Sequence, residues 1–283
     1  MRPNLFLLAA PRAGSTQLAH WLASHPDIGI PPVKEPNFFS SHEFCPRLVA
    51  REGLNDIDPE GALPPRHPAQ FAVFRRAQDY ARLYRGLHMR WRLDASTSYL
   101  ACPEAPNRIA ASLPRARALC LTRDPVERAL SHYRLALRTG RTRRPLTEEL
   151  ADELAGRTPL AARFLLRPSD QAAGLARVAT AFPGRHLALR FEELIADPRP
   201  QLDRIAAFLD IDPAGFDLDV RARNAGVAPR FAGLNHLLHR TGLRTPLRRA
   251  LPPALKPALK RLVFTRHAAA IDPADRAALE RLL

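Results

Sequence analysis

Three cysteines in 283 residues are too few, and too badly spaced, for a disulfide framework or a zinc site. Cys45, Cys102 and Cys120 contain no CxxC pair. Cys120 sits within an apolar, strand-like run and reads as a buried thiol, so the expected compartment is the reducing cytoplasm. Long apolar runs are also missing. Nothing reaches the roughly 18 residues a membrane-spanning helix needs. The apolar residues after Met1-Arg2-Pro3 are too few for a signal peptide, and no leader, stalk or anchor is expected ahead of them. No internal repeat is visible. Acidic residues are scarce against basic ones: 28 Asp and Glu face 43 Lys and Arg, nearly all of them Arg. The resulting charge of +15 points to an anionic partner such as a nucleotide, an acidic glycan, a nucleic acid or a lipid surface.

What the chain does have begins at Leu5. Leu5–Ala9 is an apolar run of strand length, followed by the turn Pro11-Arg12-Ala13-Gly14 and then Ser15, Thr16 and a helical pattern through Ser24. A strand feeding a helix through a tight turn gathers unpaired backbone N–H groups at one point and favours an anion there. Arg12 adds a positive side chain. A Walker A loop would need two glycines and a Lys before the hydroxyl residue. This turn has one glycine and no such Lys, so it is P-loop-like without being a good triphosphate site.

Downstream, the residues 28–39 form a rigid, proline-punctuated segment, and 41–70 reads as a loop-rich insertion. Residues 71–86 read as helix and 90–94 as a second strand. A helix over 103–113 precedes a third strand at 116–122. Asp124 as N-cap, Pro125 at N1 and Glu127 at N3 start a helix over 126–137 that Gly140 ends. A helix over 175–182 and a fourth strand over 186–191 follow, Glu192–Leu194 opens a loop, and residues 200–209 read as helix. This order predicts an α/β fold of three layers, with a central parallel sheet flanked by helices and a mostly helical C-terminal cover. Residues 1–283 are taken as one domain, with an α/β core over 1–230 and a basic helical segment over 231–283. Ligands of such sheets bind at the carboxyl ends of the strands, where Pro11–Thr16 and Arg123-Asp124 both fall.

Three further features accompany the turn. Glu35 lies between prolines, beside Lys34, Asn37, Phe38 and Phe39, and is suited to take a proton from an acceptor hydroxyl. Taken alone, a surface Glu paired with Lys34 is the favoured reading. Arg123 leaves a strand at the ligand edge and Ser131 lies two turns into the next helix, a pairing that fits a second phosphate group. A salt bridge and an interior helix serine are their ordinary alternatives. The loop Arg221–Arg230 is placed to close over a nucleotide.

Taken together, PRAGST (Pro11–Thr16), KEPNFF (Lys34–Phe39), DASTSY (Asp94–Tyr99) and RDPVERALSHY (Arg123–Tyr133), in this order, resemble the bacterial sulfotransferases. These are related to the heparan-sulfate-type enzymes that use 3′-phosphoadenosine 5′-phosphosulfate (PAPS). The resemblance covers residues 4–230. It implies that Arg12, Ala13, Gly14, Ser15, Thr16 and Gln17 hold the 5′-phosphosulfate. Arg123 and Ser131 then hold the 3′-phosphate, and Arg230 closes the nucleotide site. Glu35 becomes the general base with Arg12 assisting, and Lys34, Asn37, Phe38, Asp94 and Ser96 become the acceptor contacts; Asp94 and His132 are the substitutes for Glu35. No metal is expected. The chain departs from the pattern at Arg12, where many relatives carry Lys, at Ala95, where some carry Lys, and at Asn37, where His is frequent.

The activity implied is transfer of a sulfuryl group from PAPS to a hydroxyl or amine of a glycan, lipid or small molecule, releasing adenosine 3′,5′-bisphosphate (PAP). A P-loop-type small-molecule kinase is the alternative enzyme. A nucleic-acid-binding module is weaker, because aromatic residues do not interleave the Arg-rich stretches 138–144 and 240–249. Residues 240–266 mix Arg, Lys and Leu, a composition compatible with peripheral membrane contact or with a lid over the acceptor site.

Overall fold

The computed structural model describes residues 2–52, 69–159, 162–220, 231–241, 255 and 270–283. Its centre is strand β1 (Leu5–Ala9), whose five side chains are all fully buried. Helix α1 (Ser15–Ser24) follows, then the short strands β2 (Ile28–Gly29) and β3 (Val33–Glu35). Helix α2 (Pro46–Glu52), strand β4 (Ala69–Phe71), helix α3 (Ala77–Arg82) and strand β5 (Trp91–Asp94) come next. The chain continues through α4 (Ala105–Ser112), β6 (Arg117–Thr122), α5 (Pro125–Thr139), α6 (Leu146–Leu154), α7 (Gln171–Ala181) and β7 (His186–Arg190). Helices α8 (Phe191–Ala196), α9 (Pro198–Leu209), α10 (Ala232–Arg240) and α11 (Pro273–Glu280) complete the described elements.

Five strands form one parallel sheet in the order β2-β5-β1-β6-β7, flanked by helices, as the strand–helix alternation predicts. β1 pairs with β6 along its whole length, from Leu5 opposite Arg117 to Ala9 opposite Leu121, and with β5 at Leu5 and Phe6. Strands covered on both faces can be apolar throughout, which is why β1 and the centre of β6 read as continuous apolar runs. Cys120 lies in that centre, fully buried, and burial pushes its thiol up to about 12. β1 is also where the strand order turns round. The connection from β1 leads to one side of the sheet, and the chain then crosses to β6 and β7 on the other. Such a switch point opens a crevice at the carboxyl end of the strands.

Several local expectations need correction. Residues 28–39 hold two strands, and Ala69–Phe71, expected in the loop insertion and the helix after it, is a strand paired parallel to β3. Backbone bonds from the Ala69 amide to the Pro32 carbonyl (2.7 Å) and from the Ala72 amide to the Glu35 carbonyl (3.0 Å) fix that pairing. Runs of two or three residues are too short to show a period of two, and Pro31, Pro32 and Pro36 argue against strand locally. The expected helix over 71–86 shrinks to α3, and Glu192–Leu194 open helix α8 rather than a loop. Two carboxylates in a first turn favour a helix start. The start of α5 is as read, with the Asp124 carboxylate accepting from the Glu127 amide at 2.8 Å.

The chain divides into two compact units. The first comprises residues 1–44, 55–128 and 170–222 and contains both sheets and the main core. In the second, made of 45–54, 129–169 and 223–283, Gly140 ends α5 in a left-handed conformation (φ 76°). The Gly140 carbonyl bonds the His236 ring at 2.8 Å, and the buried Glu153 carboxylate accepts from the amides of Phe164, Leu165 and Leu166 at 2.6–2.9 Å.

Within the first unit, helix α7 presses Gly174 against the Leu100 carbonyl, where an added Cβ would stand 2.7 Å from the oxygen. Alanine is the better helix former by about 1 kcal/mol. Gly174→Ala is nevertheless expected to lower stability by about 1–3 kcal/mol, because backbone must move to admit the methyl. Urea unfolding of the two proteins checks the sign.

Candidate active site

The turn after β1 stands at the switch point. Arg12 (φ 74°) and Gly14 (φ 88°) both adopt left-handed backbone. Gly14 is the N-cap of α1, no side chain caps that end, and no acidic residue lies in its first turn. The partial positive charge of the helix start therefore meets no built-in anion. Two arginines hold the turn from behind. Arg123 Nη1 donates to the Arg12 carbonyl at 3.0 Å, and the fully buried Arg128 donates to the Pro11 carbonyl at 3.1 Å. With the Arg12 and Pro11 carbonyls bonded by guanidinium groups and the Ala13 amide donating to the Ala10 carbonyl (3.0 Å), the turn sets positive charge beside the start of α1.

Arg123 is itself clamped. Its amide donates to Gln171 Oε1 (2.9 Å), its carbonyl accepts from Gln171 Nε2 (2.7 Å), and its guanidinium lies 4.7 Å above the Phe191 ring. The same ring closes on Gly14, where a Cβ would stand 2.4 Å from it. Phe191 thus links the strand-end arginine to the glycine of the turn, and only glycine fits there.

Strand β3 brings Lys34 and Glu35 to the start of α1. Lys34 Nζ lies 2.9 Å from Glu35 Oε1 and donates to Ser15 Oγ at 3.4 Å. Both side chains are buried. Glu35 also accepts from Gln70 Nε2 at Oε1 (2.7 Å) and from Thr97 Oγ1 at Oε2 (2.8 Å). The turn hydroxyl, the lysine and the carboxylate form one connected chain.

Other expected site residues are spent on the scaffold. Asp94 is fully buried, with Oδ1 bonded by the Ser96 amide (3.0 Å) and hydroxyl (2.6 Å) and Oδ2 by the hydroxyls of Tyr80 (2.6 Å) and Tyr99 (2.9 Å). Four donors fill the acceptor positions of a carboxylate, leaving none for an acceptor molecule. Ser96 also receives the Asn37 amide at 3.0 Å. Asn37 is fully buried at φ 51°, its side-chain amide donating to the Glu35 and Ala72 carbonyls (2.8 and 2.9 Å) and its oxygen accepting from Ser98 (2.6 Å). Asp94, Ser96 and Asn37 therefore spend these polar atoms on an internal network that ends at the Glu35 carbonyl. Phe38 stacks on Tyr80 at 4.4 Å and remains partly exposed.

Gln17 donates to the Val220 carbonyl at 2.8 Å. Ser131 and His132 lie on α5 within the second unit, the His132 ring 5.4 Å from Phe164. Arg230, with the loop 221–230, and residues 242–254 and 256–266 of the basic segment lie outside the described residues. Among the described residues no helix is long and apolar enough to cross a membrane. Thr97, Gln70, Arg128 and Gln171 were not singled out in the sequence. Thr97 and Arg128 stand inside the quoted motifs, whereas Gln70 becomes visible only once β4 pairs with β3.

A family model described as the sulfotransferase family matches residues 3–214. The nodulation protein NoeE of Sinorhizobium fredii is 30% identical over 230 residues, which cover 74% of this chain and 50% of that protein. The chain thus spans about half the length of the curated relative it matches. Among solved structures, a sulfotransferase from Alicyclobacillus acidocaldarius superposes with a TM-score of 0.65 at 26% identity, covering 89% of this chain and 98% of the other.

Two expectations follow from the geometry. Gly14→Ala forces a side chain into left-handed backbone and into the Phe191 ring, and should cost about 1–3 kcal/mol. The double variant Gly14→Ala/Phe191→Ala should lose less than the sum of the two single changes in denaturant unfolding. The second concerns pH. Burial raises the Asp94 carboxyl from 3.8 to about 6, against the pull of its hydrogen bonds. The native state then holds this proton more tightly than the unfolded chain, so the contribution to stability is complete below pH 4 and is lost as pH rises through 6. Unfolding curves between pH 4 and 7 should show that slope, and Asp94→Asn should lack it.

Proposed function

The chain belongs to the sulfotransferase family, and from that premise we propose that it moves a sulfuryl group from PAPS to the hydroxyl or amine of a glycan, lipid or small-molecule acceptor. The observation that carries this reading is the Lys34 ammonium, which stands between Ser15 of the anion seat and the Glu35 carboxylate. An acceptor whose proton Glu35 takes would thereby be adjacent to a group seated on the turn.

The turn suits a phosphosulfate. Its uncapped helix start, left-handed glycine and absence of acid in the first turn offer donors and positive charge to an anion. PAPS, once bound, supplies an activated sulfur–oxygen bond. Glu35 removes the proton of the attacking group. Arg12, the turn amides and the hydroxyls of Ser15 and Thr16 neutralise the negative charge that grows on the bridging oxygen. Lys34 is placed to serve both, steadying Glu35 and adding positive charge beside Ser15. A transferring sulfuryl group carries less negative charge than a phosphoryl group, so these donors suffice and a divalent ion is not required. Arg123, with Ser131, is assigned the 3′-phosphate on the strength of the motif resemblance. Arg230 would complete the nucleotide site, and the product is PAP.

Incubation of the purified protein with labelled PAPS and an acceptor panel, read by mass spectrometry for an added sulfuryl group, tests the activity. Glu35→Gln should lower turnover by roughly 10²–10⁴, the usual range for a general base, and leave PAP binding by calorimetry nearly unchanged. Arg123→Ala should instead weaken PAP binding. Mg²⁺-dependent ATP turnover without sulfuryl transfer would replace this reading with a kinase.

A further inference from the structure

The proposed reaction asks Glu35 for one vacant acceptor position, and the donors around it decide where that position is. A carboxylate has about four such positions, two on each oxygen. Oε1 receives Lys34 Nζ at 2.9 Å and Gln70 Nε2 at 2.7 Å, which fill it. Oε2 receives Thr97 Oγ1 at 2.8 Å and, among the described residues, keeps one position open. The three donors come from β3, β4 and the turn after β5, so the carboxylate plane is set from three directions. Thr97 is in turn held by a rigid neighbour: Ser96 anchors on Asp94 through both its amide and its hydroxyl.

We infer that Thr97 is a positioning residue for proton transfer, orienting Glu35 so that the open lone pair on Oε2 receives the acceptor's proton, with Gln70 and Lys34 clamping Oε1. This inference rests on Glu35 acting as the base. In the step, the acceptor O–H (or N–H) bond breaks and its proton goes to Oε2. The acceptor atom bonds to sulfur, and the bridging S–O bond breaks with its electron pair leaving on the bisphosphate. Glu35 afterwards releases the proton to solvent. Thr97 remains a donor to Oε2 throughout and exchanges no proton with the acceptor.

The geometry has a kinetic signature that a merely structural threonine lacks. A base turned away from its target costs turnover steeply, whereas donor binding on the turn does not involve Thr97. Thr97→Val should lower kcat by ~10–100-fold with little change in KM for PAPS. Thr97→Ser, which keeps the hydroxyl, should restore most of the turnover. In a Glu35→Gln background Thr97→Val should have no further effect, because its action runs through that carboxylate. Wild-type kcat in Thr97→Val, or the same proportional loss in both backgrounds, overturns the positioning role while leaving Glu35 as the base. Wild-type turnover in Glu35→Gln overturns the base itself, and this inference with it. Should Thr97→Val fail to fold, Gln70→Leu replaces it in the same cycle, since Gln70 is exposed on strand β4. A kcat loss that disappears in the Glu35→Gln background supports the clamp, and a loss of equal factor in both backgrounds overturns it.

Discussion

The carboxylate of Asp94 is the constraint on which the site depends. It ends β5 with no exposure and four donors, supplied by the three residues Tyr80, Ser96 and Tyr99. Tyr80 brings α3, Tyr99 brings the far side of the turn, and Ser96 brings the loop that carries Asn37. Asn37 then fixes the Glu35 carbonyl and joins β3 to the end of β4. A buried carboxylate is costly unless every acceptor position is filled, so this network tolerates one arrangement and few others. Glu35 inherits its place from that arrangement, three hydrogen bonds away from Asp94 through Ser96 and Asn37.

The turn after β1 is built by the opposite means. Where the Glu35 carbonyl is held through Asn37 and Ser96 by a network that ends on a buried acid, the turn after β1 is held by cations at its carbonyls. Arg123 and Arg128 satisfy the Arg12 and Pro11 oxygens, and the positive φ at Arg12 and Gly14 turns the chain sharply between strand and helix. The same arginines contribute field of the sign an anion needs. Lys34 joins the two constructions, touching Ser15 on one side and Glu35 on the other. Much of the chain's excess of arginine lies elsewhere, in ordinary surface pairs such as Arg144 with Glu148 and Asp152. Such exposed pairs contribute little stability each.

The legible parts of the fold were those with length. β1, β6 and the helix α5 carry five or more periodic or apolar residues, and α5 has an unambiguous start at Asp124-Pro125. The pieces that escaped were β2, β3 and β4, two or three residues each, and these include the strand that carries Lys34 and Glu35. Their strand character comes from pairing and not from propensity, and the flanking prolines point the other way. The site was legible in the same uneven manner. The turn at Pro11–Thr16 and the Lys34–Glu35 pair could be named from residue types. The assignment of Asn37, Asp94 and Ser96 to an acceptor could not anticipate that each would spend its polar atoms inside the protein, because burial is not written in a polar residue's neighbours. Gln70 was out of reach, since its partner lies thirty-five residues earlier and meets it through a parallel pairing.

From residue order alone came the parallel α/β layout, the anion-favouring turn at Pro11–Thr16 and the family resemblance carried by four short motifs. These are local properties: apolar runs, a cap signal, a glycine where a turn needs one. Tertiary structure decided which polar residues face inward and which converge. Whether Glu35 has a vacant oxygen, whether Asp94 has one, and which donors surround each depend on strands that meet across thirty to sixty residues of chain. Hydrogen-bond saturation is a property of that meeting, and no single segment contains it.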